Sequence, residues 1–153
     1  MNGEQLKVTT YFLQDVNSPG QTAAIAGQFS SLVKPGEVVA FFGELGSGKT
    51  FFIKAFCRAL GTLQEATSPS FTLINEYRTA ANQYIYHFDF YRLKNVAELQ
   101  NLGVDDFFYN QFICLIEWAD KIKDFLPPSR WEVFLEFLPG LEEGRKIHIR
   151  KIE

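Results

Sequence analysis

Residues 38–60 read VVAFFGELGSGKTFFIKAFCRAL, and this stretch decides the fold. Its apolar start, residues 38–42, predicts a buried strand, and residues 50–60 predict a helix that ends at Gly61. The segment between them, residues 43–50, fits the pattern G-x-x-x-x-G-K-S/T at every fixed position. Strand, glycine loop and helix in this order are the context in which that pattern binds phosphate. The sequence therefore predicts a site for a nucleoside triphosphate.

The residue types of this loop suit phosphate chemistry. Glycines let successive backbone N–H groups point inward at phosphate oxygens, and the N-terminus of the following helix adds partial positive charge at the same place. Lys49 can reach the outer phosphates, and the Thr50 hydroxyl can bind Mg²⁺. The alternative is a glycine-rich turn that binds nothing, but a lysine at the start of a helix is otherwise poorly placed against the helix dipole.

The composition suits one domain, residues 1–153, with a sizeable core. Apolar residues make up 46% of the chain, and its net charge is −3 without a basic run, which argues against a large nucleic-acid footprint. Residues 1–10 are polar, and no apolar run approaches the roughly 20 residues that span a membrane. Cys57 and Cys114 lie within apolar patterns and are expected to be reduced core residues. These features predict a cytoplasmic protein without a membrane segment.

The remaining patterns predict the other elements of an α/β domain. Ser18 and Pro19 indicate the start of a helix that continues to Leu32. Further strands are expected at residues 8–13, 71–77, 84–91, 112–116, 131–138 and 146–152, and short helices at 95–102 and 104–109. The predicted fold is a three-layer P-loop NTPase-like domain. Its central mixed sheet is parallel around the phosphate loop, has antiparallel hairpins at its margins and is flanked by helices.

Two acidic residues are candidates for the second half of an NTPase site. Glu117 directly follows the apolar run 112–116, so it lies at the carboxyl end of a central strand and is interpreted as the Walker B acid rather than an exposed strand-end glutamate. Asp89 lies in an aromatic strand, where a carboxylate is costly unless it is paired or bound to a metal. The alternative to metal binding is a structural ion pair with Arg92. His87, on the same strand face, is expected to pack in the core.

Other features narrow the class of NTPase. The guanine-binding pattern N-K-x-D and the pattern D-x-x-G are absent, and the arginines are dispersed in sequence rather than gathered in a lid. The polar loop containing Thr67, Ser68 and Ser70 is either a sensor of the outer phosphate or a plain connection. These features argue against a GTPase and a lid-bearing kinase, and they leave two classes: a small ATPase or a nucleotide-switched binding module.

Four motifs taken in order resemble the TsaE (YjeE) family, the bacterial ATPases needed to make threonylcarbamoyladenosine in tRNA. They are GELGSGKT at 43–50, TSPSFTL at 67–73, HFDFYRL at 87–93 and LIEWAD at 115–120. The resemblance covers nearly the whole chain. It implies ATP or ADP and Mg²⁺ as cofactors, and TsaB and TsaD as partners, with tRNA reached only through their complex. Hydrolysis would reset that complex between cycles. The alternatives are a non-catalytic ATP-switched module and, less favoured, a small-molecule kinase.

The resemblance also implies roles for individual residues. Lys49, Asp89 and Glu117 would be catalytic, and Thr50, Glu117 and Asp89 would hold the metal. Trp118 would be a functional aromatic near the site, although packing is an equal alternative. Nucleotide contacts would come from Glu44, Leu45, Gly46, Ser47, Gly48, Lys49, Thr50 and Phe51, with the adenine near Gly144 and Pro19. The switch-like segment would be Thr67, Ser68, Pro69, Ser70 and Phe71.

The chain departs from the family pattern at a few positions. Glu44 stands for the usual Asp, Ser47 for Ala, Ser70 for Thr, Ala119 for Pro and Phe51 for Thr. None of these changes removes a charged group from the expected site, so they bear on the geometry of the switch rather than on nucleotide binding.

Overall fold

A computed structural model describes residues 5–69 and 71–153. Seven strands within these residues form one mixed sheet in the order β1-β7-β6-β2-β5-β4-β3. The strands are β1 Val8–Val16, β2 Val38–Phe42, β3 Ile74–Arg78, β4 Tyr84–Asp89, β5 Ile113–Glu117, β6 Arg130–Leu138 and β7 Leu141–Ile152. The helices are α1 Pro19–Ser30, α2 Lys49–Leu60, α3 Ala97–Leu102 and α4 Val104–Phe108, and a 3₁₀ helix spans Ala119–Phe125.

The pairing of the strands confirms the predicted fold class. Strand β2 runs parallel to both β5 and β6, and β5 runs parallel to β4. The margins are antiparallel, with β1 on β7, β7 on β6 and β3 on β4. The carboxyl ends of β2, β4 and β5 therefore meet at one edge of the sheet, where open α/β sheets bind ligands.

Helices on the two faces of the sheet bury two aromatic cores. On one face, α1 and α2 pack over Phe29, Phe56 and Trp131, which are fully buried or nearly so. On the other, the short helices cover Phe88 and Phe108. Seven of the 16 phenylalanines are buried in these cores, and burying one such side chain contributes about 1.5–3 kcal/mol.

The predicted start of α1 and the predicted end of α2 are confirmed, whereas α1 ends at Ser30 rather than at Leu32. The Gln21 backbone N–H donates to Ser18 Oγ at 3.3 Å, and Pro19 follows as the first residue of α1. Helix α2 ends at Gly61, which has φ 80°, a backbone conformation that other residues adopt only with strain. Both cysteines are free and buried, and burial raises the pKa of each thiol to about 12, as expected for inert core residues.

Several element bounds differ from the prediction. Strand β1 continues to Val16, because its pairing with β7 extends to Arg145. Strand β7 begins at Leu141 rather than at residue 146, so only residues 139–140 connect it to β6. Strand β3 begins at Ile74 rather than residue 71, because Leu73 adopts φ 67° and its N–H bonds the Pro69 carbonyl at 2.8 Å. Strand β4 ends at Asp89, and the 3₁₀ helix was not predicted. Each difference arises from pairing or turns that local patterns do not specify.

Glu37 links the turn before β2 to the neighbouring strands. Its carboxylate accepts from the Lys34 N–H at 2.7 Å and from Trp131 Nε1 at 3.2 Å, and it lies 2.8 Å from Lys151 Nζ. Burial alone would raise the pKa of Glu37, but these donors outweigh it and hold the pKa below the ordinary 4.5. The charged form is therefore stabilised by folding.

We expect Glu37→Gln to lower the free energy of unfolding at neutral pH by about 1–2 kcal/mol. Because the folded pKa is depressed, this contribution is present above 4.5 and is lost as the pH falls from there through the folded value. Urea unfolding of both proteins between pH 7 and pH 3 measures it. Glu153→Gln is the control, since that carboxylate contacts the same lysine at 3.5 Å but is largely exposed. A difference that persists unchanged at low pH would contradict this account.

Candidate functional site

The phosphate-loop sequence lies where the motif requires, between the end of β2 and the start of α2. Gly46 and Gly48 have φ 80° and 104°, which let the loop turn tightly before the helix. Gly43 is packed closely, because a Cβ there would lie 2.6 Å from the Leu135 carbonyl oxygen and 2.5 Å from Ser47 Oγ. The loop is therefore fitted against β6 with no room for a side chain at its first position.

We expect Gly43→Ala to cost about 1–3 kcal/mol in the free energy of unfolding, because the new methyl group meets backbone that cannot move aside freely. We expect a lower unfolding temperature and a weaker nucleotide affinity, because the loop is displaced. Thermal unfolding and nucleotide titration measure the two effects. Gly27→Ala on α1 is the matched control, since its Cβ would lie 3.9 Å from the nearest atom, Ala59 Cβ. Wild-type values for Gly43→Ala would show that the loop tolerates displacement from β6.

Lys49 is the first residue of α2, and its side chain crosses beneath the loop. Its ammonium donates to the carbonyl oxygens of Gly43 at 2.5 Å and Glu44 at 3.1 Å, and it lies 4.2 Å from the centroid of the Trp118 ring. The residue is only 5% exposed. Burial lowers the pKa of Lys49, while the charges of Glu117, Asp120 and Asp89 partly oppose the shift. A desolvated cation is thus held at the centre of the loop.

Glu117 and Asp89 lie side by side because β4 and β5 pair in parallel, with these two residues in register. Glu117 is 3% exposed, so the alternative of an exposed strand-end glutamate is wrong. Its Oε1 accepts from Thr50 Oγ1 at 2.8 Å, and its Oε2 lies 2.6 Å from His87 Nε2. The acid at the end of β5 is thereby tied to the first turn of α2.

Asp89 is buried at the end of β4 and is satisfied by its neighbours. It accepts from Ser68 Oγ at 3.2 Å and from the Tyr91 N–H at 2.9 Å. The alternative pairing with Arg92 does not occur in the described part of the chain. The guanidinium of Arg92 instead lies 4.4 Å from the centroid of the exposed Phe71 ring.

These groups surround a single cavity of about 350 Å³. Its lining includes Gly46, Gly48, Lys49, Thr50, Ser68, Asp89, Glu117 and Trp118. The hydroxyl and carboxylates are hard oxygen ligands of the kind Mg²⁺ prefers. Among residues 5–69 and 71–153, no group of three or more His, Cys, Asp or Glu could cage a metal.

Another cavity, of about 230 Å³, borders the loop at Ser47 and Gly48. Pro19, Phe51 and Arg145 line it together with Thr22, Ser47, Gly48 and Glu143. Arg145 Nε donates to the Ser47 carbonyl at 2.8 Å, which joins the β6–β7 hairpin to the phosphate loop. The two regions expected near the adenine are therefore brought together here. Gly144 is not part of the lining, because it is buried against Leu141.

The remaining predicted residues are placed around these cavities. Glu44 and Leu45 are exposed on the loop, and Phe71 is 85% exposed. Pro69 is buried, whereas the expectation for Ser70 lies outside the described residues. The Ser47 hydroxyl is buried without a hydrogen-bond partner among the described atoms, so the Ala usual in the family would lose no bond there.

Trp118 lies at the site rather than only in the core. It adopts φ 58° directly after β5, and its ring contacts both the Lys49 ammonium and the ring of Tyr91, whose centroid is 5.0 Å away. A non-glycine residue with positive φ stores strain, and such strain is often found at functional sites. The sequence offered no sign of this conformation.

Sequence reasoning missed two contacts of the site. His87 is fully buried, as expected, but it is bonded to Glu117 rather than merely packed. Tyr77 was predicted only as a strand residue, yet its hydroxyl lies 3.0 Å from His87 Nδ1. The spacing of His87 and Asp89 on one strand face was the available signal for the first contact. Nothing in the sequence indicated the second.

The fold and the site define a class: an α/β domain whose phosphate loop faces two acids at the carboxyl ends of adjacent parallel strands. A family model described as Threonylcarbamoyl adenosine biosynthesis protein TsaE matches residues 16–147. The chain belongs to the TsaE family.

Individual relatives agree with this assignment. The tRNA threonylcarbamoyladenosine biosynthesis protein TsaE of Bacillus subtilis (strain 168) is 40% identical over 119 residues, covering 78% of this chain and 73% of that protein. The protein of the same name from Rickettsia prowazekii (strain Madrid E) is 37% identical over 140 residues, covering 89% and 94%. The crystal structure of YdiB from Bacillus subtilis superposes with a TM-score of 0.74 at 30% identity, covering 99% of this chain and 90% of that one. The family resemblance and the fold class are both confirmed.

Within the described parts of the chain, every helix is too short or too polar to cross a lipid bilayer.

Proposed function

We propose that this protein binds and hydrolyses ATP with Mg²⁺ and serves threonylcarbamoyladenosine modification of tRNA in the cytoplasm, acting on a complex of TsaB and TsaD. One observation carries the hydrolytic part of the proposal. Lys49 and Thr50 of the phosphate loop converge with Glu117 and Asp89 around one cavity. The modification is supported by the family and by the names of the relatives.

Lys49 would bind the outer phosphates of ATP. Its ammonium is presently held by two loop carbonyls, and phosphate oxygens would be stronger acceptors because they carry formal charge. Its partial desolvation makes the attraction stronger than it would be in water. The backbone N–H groups of the loop and the start of α2 add to this positive end.

Thr50, Glu117 and Asp89 would hold the Mg²⁺ ion. When bound, Mg²⁺ neutralises charge that develops on the phosphate oxygens. Thr50 Oγ1 and Glu117 Oε1 already meet at 2.8 Å, so the two oxygens converge on one place. Asp89, beside them and bonded to Ser68, is the candidate for orienting the attacking water.

The base would occupy the cavity between Pro19, Phe51 and Arg145. Its apolar walls suit a purine ring, and the absent guanine motif favours adenine. ADP would fill the same places as ATP except that of the outer phosphate. Ser68 donates to Asp89 at 3.2 Å, so the loop of residues 67–69 would respond to that phosphate.

The deciding experiment measures ATP hydrolysis by the protein alone, with TsaB and TsaD, and with tRNA added. We expect slow turnover alone, faster turnover with the pair, and threonylcarbamoyladenosine formation that requires the protein. Absence of stimulation by the pair would count against the assignment. Full tRNA modification with a non-hydrolysable ATP analogue would favour the binding module over the enzyme.

A further inference from the structure

A chain of hydrogen bonds runs from the loop after α2 to the acid at the end of β5. The backbone N–H of Thr67 donates to the Tyr77 hydroxyl oxygen at 3.0 Å. That hydroxyl lies 3.0 Å from His87 Nδ1, and His87 Nε2 lies 2.6 Å from Glu117 Oε2. The other carboxylate oxygen of Glu117 accepts from Thr50. Four contacts thus join a surface loop to the phosphate loop through the interior of the sheet.

The register of the strands builds this chain. Tyr77 on β3 and His87 on β4 lie on one face of an antiparallel pair, and His87 on β4 is two residues before Asp89. Tyr77 is 3% exposed and His87 is fully buried, so water does not compete for these bonds. Burial raises the pKa of the Tyr77 hydroxyl, which keeps its proton in place as a donor.

The hydrogen atoms can be assigned so that every group in this series of hydrogen bonds has a partner. The carboxylate of Glu117 can only accept, so His87 Nε2 must carry the hydrogen between them. The Tyr77 O–H lies at hydrogen-bond distance from two groups, His87 Nδ1 and the Thr67 carbonyl oxygen, each 3.0 Å away. Asn75 Nδ2 also donates to the Thr67 carbonyl at 3.0 Å, so this oxygen has a partner whichever way the Tyr77 hydroxyl points. Within this series of hydrogen bonds, no buried donor or acceptor is left without a partner, as stable buried networks require.

We propose that Tyr77 and His87 are positioning residues that hold the Glu117 carboxylate toward Thr50 and couple its orientation to the backbone at Thr67. The inference rests on the proposed function, since it assigns to Glu117 a place beside bound Mg²⁺ and nucleotide. A displacement of Thr67 alters the bond to Tyr77, and through His87 it alters the direction of the carboxylate. Conversely, a carboxylate drawn to a metal pulls on the loop. Asp89 is tied to the same loop through Ser68, so both acids sense one segment.

The test uses Tyr77→Phe, which removes one hydroxyl and keeps the buried ring, and His87→Gln, whose amide retains a donor for Glu117. Tyr86→Phe is the matched control. Tyr86 precedes His87 on β4, but its hydroxyl donates to the exposed Glu76 at 2.7 Å, away from the site. His87→Phe removes the whole connection at similar volume.

The first measurement is the Mg²⁺ dependence of binding for a fluorescent, non-hydrolysable ATP analogue. We expect Tyr77→Phe and His87→Phe to need about 10-fold more Mg²⁺ for half-maximal tightening, as for other residues that orient metal ligands. ADP affinity without Mg²⁺ should stay within about 2-fold, since the phosphate loop is untouched. In turnover, kcat should fall about 10-fold with KM little changed, and His87→Gln should recover most of the loss.

The second measurement is side-chain ¹⁵N NMR of the histidines, which is simple because the chain has only two. We expect His87 to show the hydrogen on Nε2 and to shift when Mg²⁺ and the analogue are added, and to lose that response in Tyr77→Phe. His148, whose Nε2 lies 3.3 Å from Thr10 Oγ1 at the exposed margin, should not respond.

The outcomes separate the two claims. If the wild-type protein binds nucleotide with Mg²⁺ but Tyr77→Phe behaves as Tyr86→Phe does, the positioning role is overturned and the proposed function stands. If the wild-type protein binds no nucleotide, both fall. If His87→Phe fails to fold, Tyr77→Phe still decides, because a phenylalanine fits the same core position.

Discussion

Lys49→Met should lower kcat/KM for ATP hydrolysis by about 10²–10³-fold, the usual loss when one donor aimed at developing charge is removed. Nucleotide affinity should fall as well, because under the proposed function the ammonium would face the phosphates in both the ground state and the transition state. Methionine keeps the apolar stem that crosses beneath the loop, so the change is mainly one of charge. Turnover assays and titration with labelled ADP and ATP measure the two effects.

Lys54→Met is the control for this variant. It removes the same charge from the same helix, but Lys54 lines a different cavity with Arg58 and Glu65. Lys49→Met also removes the hydrogen bonds to the Gly43 and Glu44 carbonyls, so thermal unfolding of both variants separates a loss of stability from the loss of charge. Unchanged affinity in Lys49→Met would mean that the glycine loop is a turn that binds nothing.

Glu117→Gln should reduce kcat by about 10²–10³-fold while leaving ADP affinity in the absence of Mg²⁺ nearly unchanged. The amide has the size of the carboxylate but no charge, so it binds Mg²⁺ weakly. Each carboxylate oxygen of Glu117 faces one donor, Thr50 Oγ1 or His87 Nε2. The amide replaces one of these oxygens by an NH₂ group, so one of the two donors loses its acceptor. Single-turnover hydrolysis at saturating ATP over a range of Mg²⁺ concentrations measures the loss.

Asp120→Asn makes the matched comparison. Asp120 also raises the pKa of Lys49 through its charge, but it is exposed and outside the cavity lining. We expect a change of less than about 3-fold for it, because an exposed charge is screened by solvent. Turnover at the wild-type rate in Glu117→Gln would transfer the metal-holding role to Asp89, the neighbouring acid in register.

Much of the fold could be predicted because its signals are local. Five apolar residues before a glycine loop, and a helical pattern after it, place β2 and α2 without knowledge of the remainder. Ser18 and Pro19 mark the start of α1 for the same reason. The ends of β1, β3 and β7 were less predictable, since a strand continues as far as its neighbour supplies hydrogen bonds.

The site divides in the same way. The phosphate loop and the strand-end position of Glu117 could be predicted from the order of residues, whereas only the spacing of His87 and Asp89 on one strand face hinted at the contact of Glu117 with His87. Arg145 follows Gly144, which was expected near the adenine, but no local pattern indicates its bond to the Ser47 carbonyl, because the two residues are 98 positions apart in the sequence. The conformation of Trp118 and its contact with Lys49 depend on the turn between β5 and the 3₁₀ helix.

By itself, the sequence determined the chemistry available to this protein: a glycine loop with Lys49 and Thr50, an acid after a buried strand, and the family to which the motifs belong. Only the tertiary structure decided which distant groups meet. Parallel pairing of β4 with β5 put Asp89 beside Glu117, and the same register put His87 on the carboxylate and Tyr77 on His87. The physical reason is that a motif is read along the chain, while hydrogen bonds between strands depend on a register that no single segment contains.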